Sequence, residues 1–71
     1  MHGDRAAAAV RDISPFGARL SIDADWLREG TFVELIGAGG ARARAIVRWR
    51  RGPGCGVEFL VPQANPRDLV R

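Results

Sequence analysis

Between Ala41 and Arg51 the chain alternates without a break. Ala41, Ala43, Ala45, Val47 and Trp49 hold the odd positions; Arg42, Arg44, Ile46, Arg48 and Arg50 hold the even ones. Successive side chains of a β-strand point to opposite faces, so this run predicts a strand with one apolar and one basic face. The same period recurs along most of the sequence. Ala18, Leu20 and Ile22 alternate with Arg19, Ser21 and Asp23, and Cys55, Val57, Phe59 and Val61 alternate with Gly56, Glu58 and Leu60. Thr31 to Ile36 is rich in β-formers, and Val10 to Ile13 closes a first extended stretch beginning near Arg5. Ser14-Pro15-Phe16-Gly17, the GAGG of residues 37–40 and Gly52-Pro53-Gly54 supply tight turns between these runs. About five short antiparallel strands joined this way predict an all-β fold, a small barrel or a strongly bent sheet. By parity Trp49 and Cys55 face the core, while Trp26 and Leu27, between strands, plug one end. Asn65 and Pro66 suit the start of a short C-terminal helical turn.

Length limits how much such a fold can bury. A chain of 71 residues makes one domain, residues 1–71 with a core of about 5–61, and buries only about 60% of its unfolded surface. Hydrophobic residues at 46% and charged residues at 27% suit a folded globular chain. No apolar stretch approaches the roughly 20 residues that span a bilayer. The first residues carry both charge signs and lack the apolar centre of a signal peptide. A cytoplasmic protein with no membrane association is expected.

The reactive side chains are few. Cys55 is the sole cysteine and His2 the sole histidine, so neither a disulfide nor a multi-thiolate metal site is expected. Ser14 and Ser21 have no base in prospect to activate them. The sequence therefore predicts no enzyme, no metal and no cofactor. All 11 basic residues are arginine, and the net charge is +3. Arginine suits phosphate and guanine because its planar fork donates parallel hydrogen bonds and stacks on rings.

Asp12-Ile13-Ser14-Pro15-Phe16-Gly17-Ala18 fits a D/N-x-S-x-x-G pattern followed by alanine, and Val47-Arg48-Trp49 is followed after a turn by Gly56-Val57-Glu58-Phe59. In this order and spacing the blocks, covering about residues 5–61, resemble the PilZ domain family. The resemblance implies a small β-barrel and a place in signalling by the bacterial second messenger cyclic di-GMP. It implies guanine-binding roles for Asp12 and Ser14 and a tight backbone turn at Gly17. Family receptors also clamp the ligand with an upstream R-x-x-x-R. This sequence has none before Asp12, where the arginines are Arg5 and Arg11, six apart.

The expected function is thus a non-enzymatic signalling or adaptor domain with weak or no cyclic di-GMP binding, working through an unidentified protein partner. A true receptor in which Arg5 or Arg11 replaces the clamp is the alternative, with Arg11 nearer the motif. Asp12 and Ser14 also have a ligand-free role, bonding backbone N–H groups to hold the turn. A second alternative reads Arg42, Arg44, Arg48 and Arg50 as a phosphate-tracking stripe of a small basic nucleic-acid-binding barrel. With Trp49 assigned to the core, a solvated outer face is preferred, and nucleic acid is not the expected partner. The family barrel has six strands against five here. Two edges with unpaired backbone groups are expected, to be covered in a homodimer or by a strand from another protein.

Overall fold

The computed structural model describes residues 5–70, so His2 lies outside the described residues. Five strands follow one another: β1 (Ala8–Ile13), β2 (Gly17–Ile22), β3 (Phe32–Ile36), β4 (Arg42–Arg51) and β5 (Gly54–Phe59). A 3₁₀ turn, Pro66–Val70, closes the described chain, and Asp68 N–H donates to the Asn65 carbonyl at 3.1 Å at its start. All neighbouring strands are antiparallel, in the order β1-β2-β5-β4-β3, and the sheet curls into a half-barrel. The all-β expectation holds. The fifth strand stops at Phe59, two residues short of the expected Val61, which lies exposed. No described helix is long and apolar enough to cross a membrane.

Turn chemistry sets the registers. Ile13 faces Ala18, leaving Ser14 N–H to donate to the Gly17 carbonyl at 2.9 Å around Pro15 and Phe16. Gly37 N–H donates to the Ala41 carbonyl at 2.8 Å, so residues 38–40 form the β3–β4 loop. Gly40 there takes a φ of 95°, where a Cβ is disfavoured. Gly17 is glycine for another reason. Its φ is not positive; a Cβ on it would run into the Val57 carbonyl of β5.

The concave face carries the core. Ala18 and Leu20 of β2, Ala43, Ala45 and Val47 of β4, and Cys55, Val57 and Phe59 of β5 are buried there. Ala24 and Leu27 descend from the β2–β3 loop, and Leu69 packs from the 3₁₀ turn. Many of these side chains are small, which lets the sheet curl tightly. Leu27 is 3% exposed and Trp26 49% exposed, so of this pair only the leucine enters the core. Burying Leu27 contributes about 1.5–3 kcal/mol.

Two bulges overturn the parity expected from alternation. In β4, Val47 faces Val57 and Trp49 faces Gly56, so Arg48 has no residue opposite it. Downstream of this extra residue the faces exchange. Trp49, expected in the core, stands on the convex face and is 42% exposed. Arg50, expected among the outward arginines, faces Cys55 and turns inward. The proposed stripe of Arg42, Arg44, Arg48 and Arg50 therefore loses its last member. In β1 the register shifts between Val10 and Asp12, which makes Arg11 the extra residue there.

Candidate functional site

On the convex face the registers line up one row across four strands. Asp12 of β1 faces Arg19 of β2, Arg19 faces Gly56 of β5, and Gly56 faces Trp49 of β4. The row would be flat if Gly56 carried a side chain. Instead, the pyrrole side of the Trp49 indole covers Gly56, and its six-membered ring reaches Gly54, where a Cβ would lie 3.4 Å from Cζ3. The ring is laid along β5 with one face on backbone and the other open. An exposed indole of this kind is a platform on which a planar group can stack.

Around this platform lies an open, shallow depression of about 390 Å³. Its wall brings together Asp12, Ser14 and Gly17 of the motif turn with Arg19, Arg48, Trp49 and Glu58. The charges at its rim are already matched. Arg19 Nη2 lies 3.5 Å from Asp12 Oδ2, and Arg48 Nε donates to Glu58 Oε1 at 2.6 Å. Ser14 Oγ accepts the Phe16 N–H at 3.2 Å, so the hydroxyl holds its own turn. These pairs are well exposed to water, where each contributes about 0–1 kcal/mol. A ligand of suitable charge can therefore exchange with them at small cost.

The expected site residues divide accordingly. Asp12, Ser14, Gly17 and Arg48 share the depression. Arg11 and Arg5 do not line it: Arg11 is the bulge residue of β1, and Arg5 precedes that strand. Arg42 and Arg44 are outward on β4, farther along the strand, and Arg42 lies 3.6 Å from Glu34. Arg50 is spent on the fold. Its Nε donates to the Gly52 carbonyl at 2.8 Å, its Nη2 makes a long contact of 3.5 Å to the Ile22 carbonyl, and Nη1 is buried without a partner. Beside it, burial pushes the Cys55 thiol pKa up, and the Arg50 charge offsets part of that rise.

Trp49, Arg19 and Glu58 are the members of the site that the sequence did not single out. The signal was present in Gly54-Cys55-Gly56. Glycines two apart on one face of a strand leave a trough that a neighbouring ring can fill. No family model, no curated protein and no solved structure matches the chain.

Proposed function

We propose that this chain is a PilZ-like, non-enzymatic domain of bacterial cyclic di-GMP signalling that acts as an adaptor and binds the nucleotide weakly or not at all. The observation that carries the reading is the meeting of the Asp12-Ser14-Gly17 turn and the Trp49 platform in one depression. A carboxylate accepts from the N1 and N2 donors of guanine, an indole stacks on the base, and arginines receive phosphate. Weakness follows from the missing clamp. The Asp12–Arg19 and Arg48–Glu58 pairs are exposed and exchange at small cost; what the site lacks is a separate clamp, since neither Arg5 nor Arg11 lines the depression. Each missing charge-assisted hydrogen bond lowers affinity by about 1.5–3 kcal/mol.

Calorimetric titration of cyclic di-GMP tests this directly. The expected result is no saturation in the low-micromolar range, with any weaker heat lost in Trp49→Ala. Low-micromolar binding abolished by the Asp12→Ala, Ser14→Ala double variant would make the domain a receptor and end the weak-binding reading.

One observation favours a second reading. Trp49 stands on the same face as Arg42, Arg44 and Arg48, so the stripe that lost Arg50 gains a stacking ring. Single-stranded nucleic acid is the ligand class for that surface. A salt-dependent shift of a single-stranded oligonucleotide, with a shallower salt slope in Arg44→Gln, would support it.

A further inference from the structure

The two edges of the half-barrel are not protected alike. β1 carries a bulge, the charges of Arg11 and Asp12, and contact with the 3₁₀ turn. These are the usual devices by which an edge strand avoids pairing. β3 has no bulge and a single charge, and the 3₁₀ turn reaches Gly37 just beyond its end. It is regular, contains no proline or basic residue, and exposes Phe32 (69%) and Ile36 (47%). Its one charge, Glu34, is paired with Arg42 at 3.6 Å.

Hydrogen-bond alternation shows which backbone groups that edge presents. Gly37 N–H donates to the Ala41 carbonyl and Val47 N–H to the Thr31 carbonyl. In an antiparallel ladder bonded and non-bonded pairs alternate, so Val33 and Leu35 are the β3 residues bonded to β4. The N–H and C=O groups of Phe32, Glu34 and Ile36 then point away from β4. Among the described residues nothing outside the ladder receives them.

We propose that β3 pairs with β3 of a second copy of this chain, antiparallel about a two-fold axis at Glu34, joining two half-barrels into one continuous sheet. The strand matches itself end to end in this register. Phe32 faces the partner's Ile36 on the convex side and Val33 faces the partner's Leu35 on the concave side. Each of the pairs Phe32–Ile36, Glu34–Glu34 and Ile36–Phe32 presents outward-pointing groups to outward-pointing groups, as a bonded pair requires. Shifting the register by two residues either way leaves part of the strand unmatched. The sole charge of the strand falls on the axis, where the two Glu34–Arg42 pairs offset the repulsion of the two carboxylates. A two-fold interface needs a patch that complements itself, and Phe-Val-Glu-Leu-Ile reads apolar, apolar, acidic, apolar, apolar in both directions.

Sedimentation equilibrium over a range of concentrations, combined with amide hydrogen exchange, is the test. The expected result is a reversible dimer whose Phe32, Glu34 and Ile36 amides gain protection as concentration rises. Glu34→Pro removes an edge-facing N–H that the monomer does not use, so it should weaken the dimer more than about tenfold with an unchanged circular dichroism spectrum. If Glu34→Pro does not fold, Phe32→Lys, which charges the edge and spares the ladder, decides the same point. A monomer at every concentration would overturn the proposal, and so would a dimer indifferent to the variant that folds or with those amides unprotected. Either result leaves the nucleotide titration of the convex face unaffected.

Discussion

At Gly56 a methyl group would overlap the indole nitrogen of Trp49, whereas at Gly17 it would run into the main-chain carbonyl of Val57. The two obstacles differ in stiffness. The indole is the end of an exposed side chain and can swing away; the carbonyl belongs to a paired strand and cannot. Gly56→Ala is therefore expected to cost about 1 kcal/mol, the low end of overpacking, while releasing the ring from β5. Trp49 emission should shift to the red in a Trp26→Phe background, and a denaturant midpoint gives the stability change. An unshifted spectrum would mean that the indole does not rest on Gly56. The motif serine illustrates the same economy. Ser14 Oγ bonds the Phe16 N–H, so its position in the signature is explained by the turn before any ligand is considered.

Among the elements, the C-terminal 3₁₀ turn has the least of its own stability and the most specific seat. Its Leu69 packs on the core, and its backbone lies so close to Gly37 that a Cβ there would sit 2.6 Å from the Asp68 carbonyl oxygen. A short 3₁₀ segment has poor internal hydrogen bonding, so tertiary contact must hold it in place. Gly37→Ala should lift the turn from the β3–β4 loop and uncover Leu69, at a cost of about 1–2 kcal/mol. Faster amide exchange over residues 66–70, with β4 and β5 unchanged, is the expected readout. β4 carries a different lesson. One extra residue at Arg48 turns Trp49 outward and Arg50 inward, converting a core tryptophan and a surface arginine into a platform and an internal tie. A bulge of this kind re-aims side chains without interrupting the strand.

For the molecule as a whole, a small core leaves stability sensitive to single buried groups. Cys55 is fully buried, and desolvation raises its thiol pKa above the ordinary value. The unfolded chain then loses the thiol proton at lower pH than the folded chain does. Stability from this group is complete below the ordinary thiol pKa and falls as pH rises through the window between the two values. The sequence contains no lysine and no tyrosine. Cys55 is thus the one side chain titrating in that alkaline window. Denaturant midpoints of the wild-type chain should decline there, while those of Cys55→Ala start lower and stay flatter. Equal slopes would show that the thiol is not held in a dry core. The half-barrel has β1 and β3 as its two edges, and of these only β1 carries a bulge.

Alternation and turn residues determined the strand content, the strand sequence and most of the concave face, because a period of two admits few other backbones and glycine-containing turns admit few other breaks. Ala43, Ala45, Val47, Cys55, Val57 and Phe59 were legible in this way. Asp12, Ser14 and Gly17 were legible as a turn because Ser-Pro-x-Gly carries its conformation locally. What surrounds that turn was not. Trp49 was misplaced because a bulge is a property of two strands in register, and no single run of residues announces it. The β1 bulge likewise sets Asp12, not Arg11, opposite Arg19, while Arg5 precedes the strand. The order β1-β2-β5-β4-β3, which sets Arg19 beside Gly56 and leaves the bare edge of β3 open, was settled only when all five strands found their partners.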